Sequence, residues 1–216
     1  PIEDNLTSIF DSIKHTGLIF QTGGGVGASF GKIRPRNSAV KSTQGVASGP
    51  ISFMRVFNAA TEVIKQGGKR RGAFMAVLPD THPDLLEFIN CKDSGDTLNN
   101  MNLSIMCSDK FMEAVMNDEQ WNLTFNNKIY KTLPAKELFN AIVKHAHDSG
   151  DPGLLFSDTI NADKEHWGET IESTNPCVTG DTLVLTPNGE VRVDSLKVGD
   201  LINITKDQAY PIKRIE

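Results

Sequence analysis

The chain lacks the features that would send it into a membrane, across one, or onto a nucleic-acid polymer. No apolar run among its 216 residues approaches the roughly 20 that a bilayer span requires, and no charged head followed by an apolar stretch opens it. Neither membrane insertion nor secretion is therefore read, and the cytoplasm is the expected compartment. Cysteine is scarce: Cys91, Cys107 and Cys177 are too few and too scattered for a disulfide framework or a spaced zinc site, so no metal site is expected and any thiol that matters acts alone. Positive charge is not in excess either. A net charge of -5 opposes the broad basic surface that non-specific binding to a polymer needs. An initiator Met is missing, and the chain reads as cut at both ends.

What is present suits a soluble domain with a core, since 38% of the residues are hydrophobic. The cations are clustered beside glycines, Lys32, Arg34, Arg36 and Lys41 in one group and Lys65, Lys69, Arg70 and Arg71 in another. That arrangement fits local anion binding on the scale of a nucleotide.

Apolar periodicity gives a coarse architecture. Leu6, Ile9, Phe10 and Ile13 lie at helical spacing, and the glycines from Gly23 to Gly27 then exclude helix interior. Phe53, Met54, Phe57, Ala60 and Ile64 predict a helix over 50–66, with Gly67-Gly68 as its stop. A strand is expected at 73–78, a short helix after His82-Pro83-Asp84, a strand at 102–107 and a helix capped by Ser108. A strand or extended loop at 121–125 and a helix over 135–147, with Leu138, Phe139, Ile142 and Val143 inward, complete the series. Strand and helix in repeated alternation predict an α/β domain with a largely parallel sheet.

After Pro176 the texture changes. Runs at 182–185, 190–193 and 201–205 are strand-like, and Pro187-Asn188-Gly189 is a strong hairpin signal. An all-β tail is expected, with a domain boundary that separates 1–176 from 177–216.

The glycine segment Thr22-Gly-Gly-Gly-Val-Gly-Ala-Ser would let backbone N–H groups approach an oxyanion or a sugar. It lacks the Lys-Ser/Thr ending of a P-loop, so alone it reads equally as a tight turn. Lys69-Arg70-Arg71, taken alone, reads as a solvated helix end.

In order along the chain, however, several segments resemble one family. They are Gly23-Gly-Gly-Val-Gly-Ala-Ser-Phe, Ile33-Arg-Pro, Gly45-Val-Ala-Ser-Gly-Pro-Ile-Ser-Phe-Met, Gln66-Gly-Gly-Lys-Arg-Arg-Gly-Ala, His82-Pro-Asp, Phe88-Ile-Asn-Cys-Lys, Gly150-Asp-Pro-Gly and Thr174-Asn-Pro-Cys. Together they are similar to the large subunit of class II, adenosylcobalamin-dependent ribonucleotide reductases, and the resemblance covers residues 1–176. It implies an internal piece of a ten-stranded α/β barrel, thiyl-radical conversion of ribonucleotides to 2′-deoxyribonucleotides, and adenosylcobalamin as cofactor. It also implies a ribonucleotide substrate, di- or triphosphate, a deoxynucleotide effector, and a homodimer at full length.

Residue by residue, the resemblance makes Asn175 a holder of the ribose hydroxyls and Gly25 a contact to the substrate nucleoside. Asp4 matches an acidic residue that reads the effector's ribose, while Arg34 and Lys41 match cations near its phosphates; guanidinium and ammonium groups suit that role. The segment Gly67, Gly68, Lys69, Arg70, Arg71 and Gly72 corresponds to the loop that relays effector identity to the substrate base.

At Cys177 the chain departs from that family. Gly-Glu is expected next, but Val178-Thr-Gly-Asp-Thr-Leu-Val-Leu and Val191-Arg-Val-Asp-Ser-Leu-Lys-Val-Gly-Asp-Leu-Ile follow, which are similar to the opening of an intein, a Hint-type fold. Cys177 would then be the splicing nucleophile that attacks the Pro176 carbonyl, and the reductase's radical cysteine would follow the intein. The fragment alone would catalyse neither reaction. Two alternatives stand beside this: the N-terminal half of a split intein with a separate C-terminal intein partner, and an inactive module that keeps only effector binding. Cys91 and Cys107 read as core thiols, His145, His147 and His166 as surface or supporting residues, and Trp121 and Trp167 as packing residues.

Overall fold

The computed structural model describes residues 2–22, 24–40, 44–66, 70–93, 98–162, 169–176, 182–205 and 208–211; at 65–66, 70–71, 203–205 and 208–210 it describes the backbone alone. The expectations for Gly23, Lys41, Gly67, Gly68, Lys69, His166, Trp167 and Cys177 therefore lie outside the described residues. The chain divides into two compact units, Pro1–Pro176 and Cys177–Glu216.

In the first unit, helix α1 (Leu6–Gln21) starts at Asn5, whose side chain accepts from Ser8 N at 2.9 Å. Strand β1 (Gly25–Ser29) follows, then a two-residue ribbon of β2 (Ala39–Val40) and β3 (Gly45–Val46). Gly49 caps helix α2 (Pro50–Val63) at φ +81°, a backbone conformation for glycine, and Pro50 takes the first turn. The expected helix over 50–66 ends earlier: Ile64 is already extended, and β4 (Lys65–Gln66) pairs antiparallel with β5 (Arg70–Arg71). Pairing with Arg70-Arg71 takes the chain out of the helix before the glycines are reached.

Strand β6 (Ala73–Pro79), helix α3 (Leu85–Ile89), strand β7 (Met101–Cys107) and helix α4 (Asp109–Met116) come next. Ser108 Oγ accepts from Phe111 N at 3.1 Å and caps α4 as expected. An antiparallel hairpin of β8 (Gln120–Phe125) and β9 (Lys128–Pro134) leads into α5 (Ala135–Ser149), which Gly150 ends in the left-handed conformation, φ +84°. Strand β10 (Gly153–Phe156) and a single turn, α6 (Ser157–Ile160), close the series.

Strands β1, β6, β7 and β10 form one wholly parallel sheet in that order, and a helix lies in each crossover between them. The two faces of this sheet differ. Phe74, Ala76 and Leu78 of β6 and Leu103, Ile105 and Cys107 of β7 are buried in the core with Met54, Phe57, Leu85, Phe111 and Leu138 from the helices. Phe30, Phe57 and Phe74 meet there edge-on or tilted, with centroids 5.1–6.4 Å apart. The opposite face carries Gly25, Gly27 and Ser29, then Ala73, Met75 and Val77, then Ser104 and Gly153, by strict alternation along the registered strands. Val143, expected to face inward, is 48% exposed, and of the periodic residues of α1 Leu6 and Phe10 are exposed at 62% and 57%. Each helix presents a narrower stripe to the sheet than its apolar residues would allow.

The second unit contains two antiparallel hairpins, β11 (Leu183–Thr186) with β12 (Gly189–Arg192), and β13 (Leu201–Thr205) with β14 (Gln208–Pro211). Pro187-Asn188 forms the first turn and Gly189 takes φ +105° after it, so glycine serves as the exit residue. Among the described residues of the chain no helix is long and apolar enough to cross a membrane.

Candidate functional site

The segment 171–176 lies against β1 rather than continuing the sheet. Asn161 anchors it with a two-point clamp on one residue: its Nδ2 donates to Ile171 O at 3.1 Å and its Oδ1 accepts from Ile171 N at 2.7 Å. Ser173 Oγ then donates to Gly27 O at 3.2 Å, and Thr174 Oγ1 lies 3.3 Å from Met75 Sδ, the residue in register with Gly27. The fit at Gly27 is close. A Cβ placed there would stand 1.8 Å from Thr174 O and 3.1 Å from Asn175 N. The glycine-rich strand and the Thr174-Asn175-Pro176 segment, 147 residues apart in sequence at Gly27 and Thr174, are thus in direct contact. Gly25 lies two residues along the same strand, on the same face. Asn161 escaped the sequence reading because no residue pattern marks a lone Asn as a clamp.

Beside this contact runs a cleft of about 680 Å³, bounded by α1, by β1 and by Glu169–Ser173. That volume is within the roughly 300–1,000 Å³ typical of small-molecule sites. Among the described residues His15 is the one imidazole in its lining.

Asp4 and Arg34 are brought together. Arg34 Nε donates to Asp4 Oδ2 at 2.6 Å and Arg34 N to Oδ1 at 3.2 Å, both side chains being about one-third exposed. They share a second cleft, of about 620 Å³, with Ser38 and the β8–β9 hairpin.

The segment carrying Arg34 is fixed from behind by the His82-Pro83-Asp84 motif. Asp84 N donates to His82 Nδ1 at 3.0 Å, so that nitrogen carries no proton, and Nε2–H donates to Ile33 O at 2.9 Å. Burial pushes the His82 pKa down, with the Ile33 carbonyl and the Asp84 carboxylate opposing it. Asp84 Oδ2 accepts from Arg36 N at 2.8 Å and would stand 2.8 Å from a Cβ at Gly49, so three sequence motifs converge here. Burial pushes Asp84 up, although Arg36 N and His82 counter it.

A third convergence joins Phe88-Ile-Asn-Cys-Lys to Gly150-Asp-Pro-Gly. Lys92 Nζ donates to Asp151 Oδ2 at 2.6 Å and to Met101 O at 2.5 Å, while Asp151 Oδ1 accepts from Leu103 N at 3.0 Å. The ion pair is largely buried, at 16% and 18% exposure. Asp80, at the end of β6, accepts from Ser108 N and Ser108 Oγ; burial pushes its pKa up against those two donors.

Of the loop Gly67–Gly72, the backbone of Arg70-Arg71 is paired with Lys65-Gln66, and Gly72 packs under Phe20, whose ring a Cβ there would meet at 2.5 Å. Burial pushes the thiols of Cys91 and Cys107 up to about 12, which suits packing and not nucleophilic chemistry. Among the described residues no group of three His, Cys, Asp or Glu could hold a metal ion.

Residues 1–179 match the family described as ribonucleotide reductase, barrel domain. The chain is 47% identical over 182 residues to the vitamin B12-dependent ribonucleoside-diphosphate reductase of Thermoplasma acidophilum, covering 82% of this chain and 24% of that protein. To the protein of the same name from Mycobacterium tuberculosis it is 45% identical over 181 residues, covering 82% and 26%. The chain thus spans about a quarter of the length of these relatives. Among solved structures, the class Id ribonucleotide reductase alpha subunit of Actinobacillus ureae shares the fold, with a TM-score of 0.63 at 24% identity over 82% of this chain and 30% of that one. On the extent of the family match and the level of these identities, the chain belongs to the ribonucleotide reductase large-subunit barrel family.

Proposed function

We propose that residues 1–176 are part of an adenosylcobalamin-dependent reductase converting ribonucleotides to 2′-deoxyribonucleotides, and that the chain passes at Cys177 into the first segment of an intein. The observation that carries the reading is the close contact between Gly27 and Thr174-Asn175. It sets the Asn-Pro end of the radical motif against the strand whose Gly25 would touch the nucleoside. Asn175 would hold the ribose hydroxyls, and the cysteine that follows Pro176 after splicing would be delivered beside the sugar. There a thiyl radical would take a hydrogen atom from the ribose, the 2′-hydroxyl would leave as water, a cysteine pair would supply two electrons and two protons as it becomes a disulfide, and the thiol would return the hydrogen atom to the sugar, which regenerates the thiyl.

Adenosylcobalamin, when bound, supplies the radical that the thiol receives. The described residues do not fit it, since the cleft beside β1 offers His15 as its one imidazole and no thiol. Its contacts would come from other parts of the reductase. Asp4, Arg34 and Lys41 would bind a deoxynucleotide effector, and the segment Gly67–Gly72 would relay its identity to the substrate base. The reductase would act in the cytoplasm as a homodimer.

At the junction, Cys177 Sγ would attack the Pro176 carbonyl; the amide breaks, a thioester forms and the Cys177 amine is released. A second nucleophile, the reductase's own cysteine, then takes over the acyl group. The separate hairpin unit that begins at Cys177 and the end of the family match at residue 179 support this reading. Intact-mass and peptide analysis of the precursor tests it. A ligated product in which Pro176 is followed by Cys-Gly-Glu is expected, and Cys177→Ala should abolish it. Splicing that persists in that variant refutes Cys177 as nucleophile, and a ligated protein unable to reduce ribonucleotides with adenosylcobalamin and a dithiol refutes the reductase reading.

A further inference from the structure

The cleft that holds the Asp4–Arg34 pair has a wall built by an element with no assigned role, the β8–β9 hairpin. We propose that Lys128 and Tyr130 of this hairpin complete a nucleoside-polyphosphate site with Asp4 and Arg34, Lys128 binding phosphate and Tyr130 facing the base. The proposal rests on the reading of Asp4 and Arg34 as effector contacts and extends that site to a second element.

The hairpin tip is held firmly enough to serve. Asn126 and Asn127 have φ of 48° and 61°, and Phe125 pairs with Lys128, which makes a two-residue turn of the type that matches strand twist. Three contacts tie the hairpin to the body. Trp121 Nε1 donates to Asp80 O at 3.0 Å, Thr124 N to Thr81 O at 2.6 Å, and the Phe125 ring meets the His82 imidazole edge-on at 5.8 Å. Because His82 also holds the carbonyl of Ile33, the residue before Arg34, a short rigid chain of contacts sets the hairpin's distance from Arg34.

Charge and geometry then favour an anion. Asp4 already neutralises Arg34 through Nε, so Lys128 is the uncompensated charge of the lining. Among the described residues Lys128 makes no ion pair; its ammonium sits 4.8 Å from the Tyr130 ring centroid. Tyr130 falls at a shift of register and has no partner in the ladder, the kind of bulge that turns a side chain away from strict alternation. Ser38 Oγ, in the same lining, is buried without a hydrogen-bond partner among the described residues and could donate to a phosphate or sugar oxygen.

The test measures equilibrium binding of dATP and dTTP to the full-length reductase and to four variants. Lys128→Ala should weaken binding by roughly tenfold or more, the scale of one charge-assisted hydrogen bond, and Lys128→Arg should restore most of it. Lys131→Ala, on the same exposed hairpin but outside the cleft, should bind as the parent does. If Asp4→Ala weakens binding while Lys128→Ala does not, the hairpin has no part and the effector reading survives. If neither weakens it, both fail. A loss in Lys131→Ala equal to that in Lys128→Ala means bulk charge and overturns the proposal as well.

Discussion

Replacing Gly27 by alanine isolates the contact on which the reductase reading rests. The added methyl carbon would lie 1.8 Å from Thr174 O and 2.5 Å from Thr174 C, both backbone atoms that no rotamer change can move. Restoring ordinary contact at about 3.4 Å requires the 173–175 segment to retreat by about 1.6 Å, and the Ser173–Gly27 hydrogen bond, worth about 1 kcal/mol net, goes with it. The strand itself should not suffer, since glycine in a strand interior is the poorer residue by roughly 0.5–1 kcal/mol. Global stability should therefore change little while the Asn-Pro segment shifts. Misplacement of about 1 Å can cost about 100-fold in rate, so the spliced reductase carrying Gly27→Ala should lose at least that factor in kcat with its melting temperature nearly kept. Gly153→Ala at the far edge of the sheet is the control, because its Cβ would meet the movable Ser104 hydroxyl at 3.2 Å. Wild-type turnover in Gly27→Ala would refute the idea that this contact positions the motif. Unfolding would show instead that the segment is part of the core.

Two further outcomes concern what holds the sheet behind the site. Asp151→Ala leaves the Lys92 ammonium buried and Leu103 N unpaired, and should cost about 3–5 kcal/mol in urea unfolding, whereas a cost under about 1 kcal/mol would mean the pair is solvated in solution. For His82 the sign follows from burial. Its folded pKa lies below the unfolded value of about 6.5, so the unfolded chain gains protons first on acidification. Its contribution is complete above that value and drains away as pH falls below it. Burial raises Asp80 and Asp84 instead, so they act oppositely, adding stability as pH falls through their folded pKa. A stability profile from pH 7 to pH 5 should thus decline in the parent and flatten when His82 is replaced by Gln, and an unchanged slope would remove His82 as the cause.

The alternation of elements was legible because each depends on local spacing. Ser108 as a cap, the strands expected at 73–78 and 102–107 and found one residue longer, and the stop at Gly150 all follow from residue patterns within one turn or one strand. The end of α2 was misread because its determinant is not local: Lys65-Gln66 pairs with Arg70-Arg71, and that ladder outweighs a glycine stop. Burial was misread in the same way at Val143, since periodicity shows which residues share a helix face but not how much of that face the sheet covers.

The site shows the same division more sharply. Eight segments were readable as a linear series, yet nothing in their order says which ones touch. In the fold six of them pair off by contact. The glycine strand meets Thr174-Asn175 at Gly27, Ile33-Arg-Pro is held by His82-Pro-Asp, and the Phe88–Lys92 segment is joined to Gly150-Asp-Pro-Gly through Lys92 and Asp151. Each pair is made by a group that local chemistry leaves unsatisfied: a strand carbonyl, a buried imidazole, a buried ammonium. Their partners come from a distant segment because a parallel sheet brings residues dozens of positions apart into register. A substitution in one member of a pair should therefore be read through the other, so that Asp84→Ala acts on Arg36 N and on the chain that presents Arg34, before it acts on anything within its own helix.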